Sequence, residues 1–386
     1  MALDPETPIP PGGWPTPRAA YLHVPFCRHR CGYCNFSVIA NRDDLIDRFL
    51  TAIDQEVASL DFPTVDTIFI GGGTPTHLES ADLERFLAMV RSRFDLAPDC
   101  ELTVEANPED IIPGKLALLA DHGINRISLG VQSFHDKKLS TLERGHTGTA
   151  AQETIQLAAE TIANVSIDLI FGAPGETLEQ WGQDLETALA LPIQHLSTYA
   201  LTFEKGTSFW SRQNRGELAA GDEDQEIELY SAAQQRTQHA GLQQYEVSSF
   251  ARDGRRCRHN LAYWDGQGWY AAGPGAARFA NGLREVNHRS TLSYLKRIEH
   301  GDSPTAESEA ISLEQYARER AAFGIRLLDG IDLGQISETS GVDLTSLCGE
   351  AISKCVNEGL LQQVKHRFAL TARGIHFADT VASRLL

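Results

Sequence analysis

Cys27-Arg28-His29-Arg30-Cys31-Gly32-Tyr33-Cys34 follows closely on the apolar run Ala19-Ala20-Tyr21-Leu22-His23-Val24. A strand that feeds a tight three-cysteine loop is a metal-binding arrangement, and two chemistries compete for it. A [4Fe–4S] cluster normally takes four thiolates, so three would hold three irons and leave the fourth open to an exchangeable ligand. Zinc would accept the same thiolates with His23 or His29 as a fourth ligand. Disulfides do not suit the pattern. The cysteines number seven, Cys100, Cys257, Cys348 and Cys355 are scattered, and no secretory signal precedes them, so the chain reads as cytosolic.

A second stretch decides between the metals. Asp66-Thr67-Ile68-Phe69-Ile70 reads as a short strand running into Gly71-Gly72-Gly73-Thr74-Pro75. Glycines allow backbone to approach a ligand closely, although such a turn alone is equally a plain strand-to-helix loop. Together with the cysteine loop it resembles the radical-SAM signature. There the open iron takes the amino and carboxylate groups of S-adenosylmethionine, and the glycine segment lies against the methionine amino group.

Composition bounds the rest. With 386 residues, 42% of them hydrophobic, the chain can bury a large catalytic-type domain and something smaller besides. A formal charge of −18 argues against nucleic-acid binding as the main role. No apolar stretch approaches the ~20 residues needed to span a bilayer. Residues 1–18, rich in proline and glycine, read as an extended N-terminal arm.

From residue 19 to about 205, short β-rich runs alternate with amphipathic stretches, a pattern that predicts a parallel α/β sheet. Candidate strands are 19–24, 66–70, 101–106, 126–130, 165–171 and 195–202, six in all, which fits a partial (β/α)6 TIM-like barrel. Leu45, Ile46, Phe49, Leu50, Ile53, Val57 and Leu60 show helical spacing after the cysteine loop. Thr177-Leu178-Glu179-Gln180 predicts a capping box, with Leu178, Trp181, Leu185 and Leu189 on the inner face of its helix. Glu105, Asn107, Gln132, Ser133, Arg144, His146 and Asp168 all fall at or near strand C-termini, where such barrels assemble their sites.

Residues 19 to about 380 resemble the radical-SAM coproporphyrinogen III dehydrogenase family, through CRHRCGYCNF (27–36), GGGTPT (71–76), VEANPE (104–109), RISLGVQSF (126–134), RGH (144–146) and IDLIFGAPGET (167–177). The resemblance implies that Cys27, Cys31 and Cys34 ligate the cluster. It also implies that Tyr21, Tyr33, Gly72, Gly73, Thr74, Glu105, Gln132, Arg144 and Asp168 meet S-adenosylmethionine, with Ala200 near a second molecule of it. Two features favour the haem-chaperone branch of the family. The dehydrogenases carry a further cysteine where this chain has Phe36, and they begin with a longer extension than the 26 residues before Cys27.

Cys257-Arg258-His259-Asn260-Leu261-Ala262-Tyr263-Trp264 contains the HNxxYW pattern that the resemblance associates with haem. A neutral His259 imidazole suits haem iron, Tyr263 and Trp264 offer flat faces, and Arg252, Arg255, Arg256 and Arg258 could pair with propionates. One departure stands out: Gly273-Pro274-Gly275-Ala276-Ala277 has Ala277 where the family has a histidine, so His288 or Cys257 are further candidates for the second ligand. Residues 206–310 form a haem-motif and barrel-extension region, and 311–386 a helical, winged-helix-like accessory domain, expected as a lid or partner surface. The expected function is haem binding and transfer to an acceptor apoprotein, one of the respiratory class included, with an electron donor for the cluster. The alternative is a radical-SAM enzyme acting on a porphyrin, either the dehydrogenase or a methyltransferase.

Overall fold

The computed structural model describes residues 9–219 and 221–386, so the first eight residues of the expected arm lie outside the described residues. Six parallel strands form its centre: β1 (Ala19–Val24), β4 (Thr64–Gly72), β5 (Asp95–Ala106), β6 (Arg126–Gln132), β7 (Asn164–Phe171) and β8 (His195–Ala200). They neighbour one another in that order. Between them run α1 (Ile46–Ala58), α2 (Ser80–Arg93), α3 (Pro113–Asp121), α4 (Asp136–Thr141), α5 (Gly148–Thr161) and α6 (Leu178–Ala190). All six strands expected from the sequence are present.

The strands alternate chemically, and the alternation positions the site. Ile68, Ile70, Val104, Ile127, Leu129, Val165, Ile167 and Leu196 are fully or almost fully buried and join one apolar core with Phe49, Ile53, Phe86, Leu116, Ile155, Trp181 and Leu185 of the helices. The intervening residues Thr67, Thr103, Glu105, Arg126, Ser128, Ser166, Asp168, His195 and Ser197 point the other way. A barrel interior is ordinarily filled by branched apolar side chains; here it is polar and hollow. Leu178 departs from expectation: it is the first residue of α6, beyond the apolar stripe, and is 47% exposed. The capping box at Thr177 and Gln180 forms as read.

The cysteine loop is tied at both ends by a miniature parallel pair, β2 (Phe26–Cys27) and β3 (Ile39–Ala40), with Phe26 opposite Ile39 and Cys27 opposite Ala40. The central sheet extends to twelve strands. Beyond β8 lie β9 (Gln243–Glu246) and β10 (Ser249–Ala251), with β10 next to β8; beyond β1 lie β11 (Trp269–Ala272), β12 (Ala277–Ala280), β13 (Leu283–Asn287) and β14 (Thr305–Ala310). Helices α7 (Ser208–Asn214), α8 (Glu223–His239), α9 (Arg258–Trp264) and α10 (Thr291–Glu299) accompany this extension.

Residues beyond 311 build a second core. It gathers Ala321, Ile336, Leu344, Cys348, Ile352, Val381 and Leu385 from α11 (Leu313–Gly324), α12 (Leu333–Ser340), α13 (Leu344–Asn357) and α14 (Ala378–Leu385), beside the hairpin β15 (Leu361–Val364) and β16 (Arg367–Leu370). This module joins the rest of the chain at β9 and α9. Val247 N donates to Arg326 O at 3.2 Å, Leu328 N to Tyr245 O at 3.0 Å, and the Arg326 guanidinium stacks on Trp264 at 5.0 Å. From the arm, Trp14 packs edge-on against Phe279 and Tyr316. No helix among the described residues is long and apolar enough to cross a membrane.

Candidate functional site

Cys27, Cys31 and Cys34 share one pocket with Tyr33, Gly72, Gly73, Thr74, Glu105, Asn107, Gln132, Arg144 and Asp168. Strand C-termini supply most of these, so four crossovers of chain bring residues from 27 to 168 to one mouth. The glycines are there for space. Gly72 has φ +105°, and a Cβ on it would come within 2.4 Å of the His23 ring; one on Gly73 would come within 2.6 Å of Phe26 O. Gly73 N and Thr74 N bond back to Val24 O and Phe26 O at 2.8 and 2.7 Å, fastening the glycine loop to the cysteine loop.

A polar arc links two of the thiols. Arg144 Nη1 donates to Cys31 Sγ at 3.5 Å, Arg144 Nη2 to Asn107 Oδ1 at 2.5 Å and Gly130 O at 2.8 Å; Asn107 Nδ2 donates to Thr74 Oγ1 at 2.9 Å, and Thr74 Oγ1 lies 3.6 Å from Cys27 Sγ. Arg144 Nε is buried and without a partner. Burial pushes the Cys27 thiol up to about 12, so its thiolate needs a positive partner. Among the described residues no three His, Cys, Asp or Glu side chains gather closely enough to hold a single metal ion. The donor set of three thiols around a shared opening suits a larger group.

Glu105 and Asp168 face the same opening. Burial and the neighbouring Asp168 push Glu105 up to about 7, while Gly72 N, donating at 3.0 Å, partly offsets them. Burial pushes Asp168 up to about 6, against hydrogen bonds from Ser197 and Ser128. Two desolvated carboxyls beside a bare glycine backbone form a receptor for a cation, and S-adenosylmethionine carries an ammonium and a sulfonium. Gln132 sits at φ +67° where the β6–β7 register shifts, a strained conformation of the kind found at ligand sites.

Tyr21 and His259 occupy a second, adjoining cavity of about 550 Å³ inside the barrel. Phe36, Glu105, Ser128 and Asp168 border both chambers. Phe69, Tyr263 and Trp269 wall it, and α9 closes its floor: His259 N and Cys257 Sγ donate to Glu101 Oε1, and His259 Nδ1 meets Thr67 Oγ1 at 2.9 Å. His259 Nε2 meets Tyr263 Oη at 2.9 Å, and burial pushes the imidazole down to about 3, so it is neutral. That is the protonation state an iron ligand needs.

Other expectations separate. Ala200, at the end of β8, borders neither chamber. Ala277 lines the barrel cavity, as does Cys257, whereas His288 does not. The four arginines near the haem motif do not reach the cavity: Arg258 pairs with Asp99, Arg256 with Asp329, and Arg252 donates to Ile193 O and Ala240 O. Ser133 and His146 turn away from the mouth, toward Asp184 and Val131 O. The sequence reading missed Thr67, Glu101 and Asp184. Their only signal was a polar residue among others on the same strand or helix, which is too common to act on.

A glycine-flanked, three-cysteine mouth on a partial parallel barrel defines a radical-SAM protein, and residues 21–188 match the family model of the Radical SAM superfamily. Residues 311–377 match the HemN C-terminal domain. The chain is 38% identical over 378 residues to the heme chaperone HemW of Mycobacterium tuberculosis, covering 96% of this chain and 95% of that one. It is 33% identical over 363 residues to the heme chaperone HemW of Bacillus subtilis, covering 92% and 96%. The solved coproporphyrinogen III oxidase HemN of Escherichia coli, a radical SAM enzyme, shares the fold with a TM-score of 0.84 at 21% identity, covering 96% and 90%. Within the radical-SAM class, this chain belongs to the heme chaperone HemW family.

Proposed function

We propose that the protein binds haem and passes it to acceptor apoproteins, with a [4Fe–4S] cluster on Cys27, Cys31 and Cys34 and S-adenosylmethionine in the adjoining pocket. The observation that carries this reading is the continuity of two chambers, the cysteine pocket and an aromatic-walled cavity with a neutral histidine at its floor. Relatives covering nearly the whole chain are named heme chaperones.

The cluster and S-adenosylmethionine supply one-electron and radical chemistry when bound. The chain's own residues orient them. Gly72 and Gly73 leave backbone bare for the amino-acid end, Glu105 accepts from its ammonium, and Arg144 pairs its carboxylate. Asp168 takes a ribose hydroxyl, while Thr74, Gln132 and Tyr33 line the remaining walls. Tyr21 borders the haem chamber in this reading, and Ala200 keeps its assignment from resemblance alone. His259 would be the iron ligand, its ring fixed from behind by Thr67, and Nε2 would ligate in place of its hydrogen bond with the Tyr263 hydroxyl. The partners required are an electron donor for the cluster and a haem acceptor, a respiratory apoprotein among them.

The test gives anaerobically reconstituted protein haem and coproporphyrinogen III in parallel. Retention of haem and its transfer to an apoprotein are expected. Formation of protoporphyrinogen without haem retention overturns the reading.

A further inference from the structure

The barrel cavity opens sideways. Phe36, Ser37 and Arg289 form its outer wall and also line an exterior cleft of about 480 Å³, completed by Arg30, Lys205 and the start of α10 at Thr291. The wall is held from both sides: His23 Nε2 meets Ser37 O at 2.9 Å from within the barrel, and Arg289 Nη2 donates to Asn35 O at 2.6 Å from the cleft. Phe36 between them is 61% exposed and borders both the cleft and the barrel cavity.

The charge of this cleft runs against that of the chain. The molecule carries −18, and most of its arginines are paired with carboxylates, Arg256 and Arg258 among them. Arg30, Lys205 and Arg289 have no carboxylate partner among the described residues, yet they share one cleft. The N-terminus of α10 adds its positive dipole end at Thr291. Clustered cations without counter-charges repel one another and favour an anion. An exposed aromatic ring beside them favours a ligand that is flat and apolar on one side.

We propose that this cleft receives the two propionate carboxylates of haem, with Arg289 and Lys205 as their ion-pair partners and Phe36 against the porphyrin edge. The ring then lies within the aromatic cavity toward His259, and its propionates pass beside Phe36 to the cleft, Arg289 Nη2 exchanging Asn35 O for a carboxylate oxygen. This rests on the haem reading above and deepens it: the propionates are held at the barrel rim, by residues far in sequence from the haem motif, and not by the arginines adjoining His259.

The experiment measures haem affinity by Soret titration of the full chain, with protohaem and with haem dimethyl ester, which lacks both carboxylates. Loss of charge-assisted pairs predicts that the double substitution Arg289→Glu with Lys205→Glu weakens protohaem binding by at least about tenfold. Dimethyl ester binding falls far less than protohaem binding in that variant; Lys205→Ala, which keeps the Arg289–Asn35 contact, leaves ester binding and iron–sulfur content unchanged, and Arg289→Lys retains protohaem binding. Should the double variant lose its iron, Lys205→Ala alone serves, and a weakening confined to protohaem still supports the site. Equal protohaem affinity in variant and parent, with haem still bound, overturns this proposal and leaves the haem reading standing. If the parent binds neither porphyrin, the haem reading itself has failed.

Discussion

Glu105 and Asp168 carry the sharpest residue-level consequence, because both hold their protons more tightly in the fold than in an unfolded chain. A carboxyl raised from its ordinary value of 4.5 or 3.8 to about 7 or 6 contributes stability that is complete at low pH and lost as pH rises through the folded value. The ligand-free protein should therefore lose stability between about pH 4 and 7. Glu105→Gln should raise its melting temperature at pH 8, an effect on the order of 1–3 kcal/mol, with little change at pH 4.5. A difference independent of pH would show that Glu105 is not raised. The same substitution should weaken S-adenosylmethionine binding, since the negative charge that destabilises the empty pocket is what attracts a cation. Arg144→Ala should cost about 1.5–3 kcal/mol of that binding, read as a lost perturbation of the reduced cluster's electron paramagnetic resonance spectrum. An unchanged spectrum on adding S-adenosylmethionine to the parent would remove the basis for both substitutions.

At the scale of elements, the connection from β6 through α4 to the Arg144 loop is held by a buried charged knot on α6. Asp184 accepts from Ser133 Oγ at 2.7 Å, from Phe134 N at 2.6 Å and from Lys138 Nζ at 3.1 Å, and Lys138 also pairs with Glu176. All three charged groups are buried. Removing one member leaves an uncompensated charge, which typically costs about 3–5 kcal/mol. Asp184→Ala should lower stability by that order in urea melts. It should also weaken S-adenosylmethionine binding more than cluster assembly, because the knot positions Arg144 while β2 and β3 hold the cysteine loop independently. Equal loss of both would mean that the whole mouth depends on α6. A second knot centres on Glu56 of α1, which accepts from Gly273 N, Asn287 Nδ2 and Tyr294 Oη at 2.9, 2.7 and 2.7 Å and so fixes the Gly273–Gly275 rim against the barrel.

Across the whole molecule, the cluster and haem chambers adjoin but draw on different elements. Thr67, which holds His259, and Gly72, which borders the cysteines, are five residues apart on β4, roughly 16 Å at strand rise. Because the cysteines sit on the loop between β2 and β3 and His259 on α9, removing one ligand leaves the other's element in place. His259→Ala should reduce haem retention and shift the Soret band while leaving iron–sulfur content intact, and Cys27→Ala should do the reverse. Haem retained by the His259 variant with the same spectrum would remove it as the ligand. The C-terminal module joins through Arg326, stacked on Trp264 and 4.0 Å from the buried Glu246. Arg326→Ala should destabilise the protein by about 2 kcal/mol, seen as a lower melting temperature.

Much of this was legible along the chain. The six parallel strands, the amphipathic helices and the cysteine mouth announce themselves through local spacing, because periodicity and a tight ligand loop are properties of neighbours in sequence. Asn107 and Arg144 were visible as polar residues near strand ends, but their union through Gly130 O and Cys31 was not. Leu178 read as core because its spacing was right; its place as the first residue of α6 put it outside. The His259 motif was evident as a pattern, whereas its position at the floor of a hollow barrel, with its neighbouring arginines turned to Asp99 and Asp329, was decided only in three dimensions. So too was the meeting of Phe36, Lys205 and Arg289 at one cleft. Local hydrogen bonding and side-chain period write the elements into the sequence. Which polar groups share a cavity depends on contacts between residues hundreds of positions apart, and only packing of the partial barrel and its extension brings those together.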